Sequence, residues 1–163
     1  MSQTSALFQL GMDLDPGSST AQKEDWGITR ESGFSQSDAR YDHFTVKDGV
    51  RCAGTHLILD LYDAQGLDDL ALMERALRDC VDESGATLLH IHLHHFTPNG
   101  GISGVAVLAE SHISVHSWPE TGYAAFDVFM CGDAEPERCI EVLRAAFSPV
   151  KLAVSEHLRG QGA

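Results

Sequence analysis

The sequence predicts an α+β fold: a two-layer sandwich in which two helices cover one face of an antiparallel-rich sheet, in the order β-α-β-β-β-β-α-β. Three observations predict it. Two segments carry apolar residues at helical spacing, four strand-like runs follow one another between them, and further strands flank the pair. A chain of 163 residues suits one domain with a sizeable core and is short for two.

Taken in order, residues 1–50 are rich in Ser, Gly, Gln and Asp with no apolar period, and are expected to be a loosely ordered extension. Isolated apolar residues there, such as Phe8, Trp26 and Phe34, offer points at which it could dock. Residues 51–163 form the expected domain. THLILDLYDA, between Gly54 and Gly66, reads as a first strand. In LDDLALMERALRDCVDESG, the residues Leu67, Leu70, Met73, Ala76, Leu77 and Cys80 fall three or four apart, with acids at the start and Gly85 past the end, which predicts a helix. ATLLHIHLHHF alternates up to a Pro98-Asn99-Gly100-Gly101 turn, and GVAVLAE, HISVHSW and YAAFDVFM supply three more strands. AEPERCIEVLRAAF is a second amphipathic helix and PVKLAVSEHL a last strand. Helices gathered on one face leave the other face of the sheet available to a partner subunit.

The formal net charge of −13 excludes the usual nucleic-acid and anionic-membrane partners and favours a cationic substrate. No apolar run reaches the roughly 18 residues needed to cross a bilayer, and no secretory signal is visible at the start. The cysteines, Cys52, Cys80, Cys131 and Cys139, show no CxxC pair or dense framework, as expected for reduced thiols in a cytoplasm.

Two clusters could carry chemistry. His90, His92 and His94 alternate along one strand, so their imidazoles share a face where zinc, copper or iron could bind. Nothing nearby completes a ligand set, and no metal is expected; these side chains read as decoration of an exposed or interface face beside His95. The second cluster is AESHISVHSWPETGYAAFDVFMCG, residues 109–132, which packs a hydroxyl, imidazoles, carboxylates and a thiol into two strands and their turn. Singly, Ser111 could be a turn residue, Cys131 a small core residue and His116 a satisfied side chain. A hydrolase with Ser111 or Cys131 as nucleophile and His116 as base is the other reading, but neither a GxSxG elbow nor a helix start after Cys131 is present.

The segments GTHLILDLYD (54–63), SGATLLHIHLHHF, SGVAVLAESHISVHSWPETGYAAFDVFMCG and SEHLRG (155–160) resemble the prokaryotic S-adenosylmethionine decarboxylase proenzyme family. That resemblance implies self-cleavage between Glu110 and Ser111 by acyl shift of the serine hydroxyl, β-elimination and hydrolysis, leaving position 111 as a covalent pyruvoyl group. It implies His116 as the processing base, Ser103 as a residue assisting processing, and Cys131 as the proton donor in catalysis. Phe96 and Glu120 match the aromatic and the carboxylate that hold adenine and ribose. The implied reaction joins the substrate amine to the pyruvoyl ketone as a Schiff base, which accepts electrons as carbon dioxide leaves, the electron-sink logic of pyridoxal phosphate without that coenzyme. The product would be the aminopropyl donor for spermidine synthesis, made by a homodimer. Arginine or ornithine are alternative substrates of the same chemistry, and a metal-binding module and an inactive regulatory relative are more distant alternatives.

Strict alternation puts Ser111 and His116 on opposite faces of a strand, because they lie an odd number of residues apart. A bend or bulge between them is therefore expected, with strain beside the scissile bond.

Overall fold

The computed structural model describes residues 43–162. Most of the proposed extension, with Phe8, Trp26 and Phe34, lies outside the described residues. The elements are β1 (Thr45–Lys47), β2 (Val50–Cys52), β3 (Gly54–Tyr62), α1 (Leu70–Ser84), β4 (Leu88–His95), β5 (Ile102–Leu108), β6 (Ser111–Trp118), β7 (Tyr123–Met130), α2 (Arg138–Phe147) and β8 (Lys151–Arg159), with a 3₁₀ turn at Pro119–Thr121. From β3 onward this is the expected order of strands and helices.

Strands β3 to β8 form one antiparallel six-stranded sheet in the order β4-β5-β6-β7-β3-β8. Period-two alternation decides which face is covered. Leu57, Leu59 and Leu61 of β3, Ile113 and Val115 of β6, and Ala124, Phe126 and Val128 of β7 are buried beneath the helices. Met73, Ala76, Leu77, Cys80 and Val81 of α1 and Cys139, Leu143 and Phe147 of α2 pack down on them. Both helix limits of α1 are written in the sequence: the Asp69 side chain accepts the Leu72 N–H at its start, and Gly85 takes φ 73° at its end.

The opposite face of the sheet has no covering layer among the described residues. His56, His90, His92, His94, His112, His116 and His157 fall on it by register, interleaved with Ile58, Val107 and Trp118, each more than a third exposed.

One element begins inside the stretch expected to be loose. Residues 45–52 form a hairpin whose two-residue loop, Asp48-Gly49, has φ 50° and 79°. Positive φ at both positions defines the mirror-image turn that suits hairpin twist, and Asp-Gly is a strong sequence for it. Lys47 fastens the hairpin to the domain by ion pairs with Glu137 and Glu156.

The rings of Phe126 and Phe147, 5.8 Å apart, join sheet to helix layer at the centre of the core. Phe126→Ala should lower the unfolding free energy by about 3–5 kcal/mol, measured by denaturant titration. A loss below about 1 kcal/mol would show that this contact is not central to the core.

Candidate active site

The first set of site residues meets where the β5–β6 hairpin turns beside the end of β7. Leu108 pairs with Ser111, so Ala109 and Glu110 make a two-residue loop. Glu110 sits at φ 61°, a left-handed conformation that costs a non-glycine residue about 1 kcal/mol. Ser111 is 8% exposed at the first position of β6, and Cys131 directly follows the last residue of β7. The Cys131 N–H donates to Ser111 Oγ at 3.3 Å, and the two side chains touch, Oγ to Sγ, at 3.7 Å. The Cys131 thiol also reaches the carbonyl oxygen of Glu110 at 3.4 Å. One thiol thus contacts both sides of the Glu110–Ser111 peptide bond.

His43 joins this set and was missed by the sequence reading. Its Nδ1 lies 3.2 Å from Glu110 Oε2, while its carbonyl accepts the Gly132 N–H at 3.0 Å. No motif marks it; the only nearby signal that could have shown the chain to be placed here is the Asp48-Gly49 hairpin turn, which the reading of a loose extension passed over.

The second set lies at the far end of β6. Ser103 of β5 pairs with His116, and Ser103 Oγ and His116 Nδ1 are 2.8 Å apart. These two residues line a cavity of about 370 Å³ together with Phe96, Trp118 and Glu120. The cavity wall is built by turns. A cis Thr97–Pro98 bond lies within the loop that Phe96 closes, its N–H donating to the Gly101 carbonyl at 2.8 Å and its own carbonyl accepting the Gly100 N–H at 2.9 Å. Below it the Ser117 hydroxyl is buried, accepting the Ile102 N–H and donating to the Leu67 carbonyl at 2.8 and 2.9 Å. Trp118 stacks on Tyr123 at 5.3 Å, and the Tyr123 hydroxyl donates to Asp60 at 2.6 Å. That hydrogen bond to a carboxylate, with some burial, raises the phenol pKa to about 12, so Tyr123 stays protonated at neutral pH. Trp118 was not singled out from sequence, although its alternation with His116 places it on the same face. A larger cleft of about 810 Å³ between α1 and α2 holds none of these residues.

The two sets do not come together within one chain. The expected bend is absent: β6 pairs without interruption with β5 from His116 to Ser111 and with β7 from His112 to Trp118. The register shift recorded in this part of the sheet falls at Leu88/His90 in β4 instead. Paired on both edges and anchored by buried Ile113 and Val115, β6 has no room for an extra residue. Ser111 and His116 therefore lie on opposite faces, about 17 Å apart along the strand at the usual rise per residue. The strain anticipated in the strand sits at Glu110, one residue before it.

His90, His92 and His94 are exposed on the edge strand β4. Among the described residues no group of three or more His, Cys, Asp or Glu side chains is arranged to hold a metal ion. Among them, too, no helix is long and apolar enough to cross a membrane.

Relatives named S-adenosylmethionine decarboxylase proenzyme include one from Thermomicrobium roseum, 44% identical over 112 residues that cover 68% of this chain and 97% of the relative. Another, from Methanococcus aeolicus, is 48% identical over 110 residues, 66% of this chain and 93% of the relative. The crystal structure of the adenosylmethionine decarboxylase from Aquifex aeolicus superposes with a TM-score of 0.61 at 32% identity, covering 67% of this chain and 92% of that one. The family model described as S-adenosylmethionine decarboxylase matches residues 55–160, a span that starts after His43 and the β1–β2 hairpin and takes in the other residues of both sets. The chain belongs to the S-adenosylmethionine decarboxylase family.

Proposed function

We propose that this chain is a proenzyme that cleaves itself between Glu110 and Ser111 and, as fragments 1–110 and 111–163, decarboxylates S-adenosylmethionine to an aminopropyl donor, as a carboxy-lyase. The observation that carries the reading is the junction itself, where the hydroxyl of Ser111, the carbonyl of Glu110 and the thiol of Cys131 converge at 3.4–3.7 Å. Residues 51–163 are the proposed catalytic domain, and the cytoplasm its proposed setting, where four free thiols stay reduced.

For self-cleavage, Ser111 Oγ attacks the carbonyl carbon of Glu110, and the amide becomes an ester. The turn supports that step in two ways. Left-handed Glu110 is already strained, and the Cys131 S–H can donate to the carbonyl oxygen as it gains charge. Elimination then needs a base for the Ser111 α-proton, and the imidazole of His116, held by Ser103, has suitable chemistry.

The surroundings of Ser111 fit a pyruvoyl group, since the backbone N–H of Cys131 donates to the Ser111 hydroxyl and the Cys131 thiol touches it. That group supplies a ketone able to take up the substrate amine and draw off the electrons released with carbon dioxide. Cys131 is the proposed proton donor to the substrate α-carbon. Phe96, with Trp118 and His116 nearby, offers aromatic faces to a nucleoside and to a sulfonium cation, and Glu120 offers a carboxylate to ribose hydroxyls. The relatives' names and this aromatic cavity favour S-adenosylmethionine over arginine or ornithine, whose linear side chains have no use for it.

A second copy of the chain completes the site. His116 is too far from the Ser111 of its own protomer, and the sheet face that carries His116 is open, with Ile58, Val107 and Trp118 exposed on it. Two copies packed face to face about a two-fold axis across the strands bring the His116 end of each over the Ser111 end of the other.

His116→Ala alone should remain uncleaved. Coexpressed with Ser111→Ala, which cannot cleave but carries His116, the His116→Ala chain should regain cleavage, seen on a denaturing gel; no rescue would place the base within one protomer. Cys131→Ser should still cleave while carbon dioxide release falls by about 10²-fold or more, and turnover within tenfold of the parent would remove Cys131 from catalysis. Carboxyl-labelled S-adenosylmethionine should release labelled carbon dioxide, and labelled arginine and ornithine should not; the reverse pattern would overturn the substrate assignment.

A further inference from the structure

Two thiols that the proposed mechanism does not use face each other across the helix layer. Cys80, in α1, and Cys139, in the first turn of α2, are both fully buried. Cys80 Sγ lies 3.9 Å from the Cys139 carbonyl oxygen, and Cys139 Sγ lies 3.6 Å from the Cys80 carbonyl oxygen. Reciprocal contacts of this kind bring the two residues side by side, with each thiol against the other residue's backbone, although 59 positions separate them in sequence. The other two cysteines have different surroundings: Cys131 touches Ser111 and Glu110, and Cys52 ends β2.

We infer that Cys80 and Cys139 are a latent disulfide site, which a low-molecular-weight disulfide oxidises to a covalent clasp between α1 and α2. The exchange balances in two steps. One thiolate, Cys139 when the first turn of α2 opens, attacks the reagent's disulfide, forms a mixed disulfide and expels one small thiol. The Cys80 thiolate then attacks the Cys139 sulfur, closing the Cys80–Cys139 bond and expelling the second small thiol. The protein loses two hydrogens and the reagent is reduced to two thiols.

Resting chemistry favours the reduced pair. The neighbouring Cys139 and burial hold the Cys80 thiol pKa well above the ordinary range, which keeps Cys80 a thiol while the helices stay packed. The opening this requires is of the first turn of α2, whose N-cap residue Glu137 makes no side-chain capping bond. The clasp also has a consequence specific to a self-cleaving chain, and this part rests on the proposed function. Cys80 belongs to fragment 1–110 and Cys139 to fragment 111–163, so oxidation rejoins by sulfur the two fragments that cleavage separates. Before cleavage, the same bond closes a long loop of the unfolded chain, which stabilises the fold.

The test uses the full purified chain and 2-hydroxyethyl disulfide, a neutral reagent suited to a protein of charge −13. After incubation the intact mass should fall by two hydrogens, and after blocking of residual thiols, digestion without reductant should yield a Cys80–Cys139 linked peptide. On a denaturing gel, oxidised protein should run as one joined species without reductant and as two fragments with it. Cys80→Ala and Cys139→Ala should each abolish the joined species. Linkage through Cys131 or Cys52, or two mixed disulfides without a linked peptide, would overturn the inference. Failure of self-cleavage is separately visible, as a single band even with reductant, and leaves the linked peptide as the deciding result.

Discussion

Uninterrupted antiparallel pairing along both edges of β6 is the constraint on which the rest of the site depends. Neighbours on either side supply hydrogen bonds from Ser111 to Trp118, and alternate side chains are locked under the helices. Alternation then has no freedom. Ser111, Ile113, Val115 and Ser117 point to the helix layer, and His112, Ser114, His116 and Trp118 to the open face. The strand delivers a hydroxyl to one end and an imidazole to the other, on opposite faces, and so divides the site residues into two sets. In the proposed two-fold pair this division is resolved, each half being completed by the other copy.

The same rigidity explains where strain is found. A strand fixed on both edges cannot absorb a bulge, so distortion is displaced into the two-residue loop ahead of it, where Glu110 takes the left-handed conformation. The loop is also where the Cys131 thiol arrives from β7 and where His43 reaches from the chain preceding the family match. Backbone strain, a thiol against the carbonyl oxygen and the proposed nucleophile on the next residue meet at one peptide bond. The Ser103–His116 pair, the buried Ser117 hydroxyl and the Trp118–Tyr123 stack keep the other end of the strand equally fixed.

Much of this was legible in the sequence because its signals are local. Leu67 to Cys80 at helical spacing, Gly85 as a stop and the alternation in YAAFDVFM each specify an element with no help from elsewhere in the chain. Even the problem of the site was legible, since the odd spacing of Ser111 and His116 already set them on opposite faces. Its resolution was not: a bend is a local answer, and the observed regular ladder depends on β5 and β7, which single-strand reasoning does not weigh. The β1–β2 hairpin was overlooked for the opposite reason, because a polar stretch hid the Asp48-Gly49 turn that specifies it. His43 and the Cys80–Cys139 contact are long-range juxtapositions with no motif, and only packing reveals them.

The central claim is that Ser111 is consumed to make the catalytic group, and intact-mass spectrometry of the purified protein tests it most directly. The account predicts two fragments, residues 1–110 and 111–163, with the second lighter than a serine-ended peptide by the difference between an amine-bearing serine and a ketone-bearing pyruvoyl end, and resistant to Edman sequencing. A single uncleaved chain of 17.7 kDa, unchanged after long incubation, would contradict it.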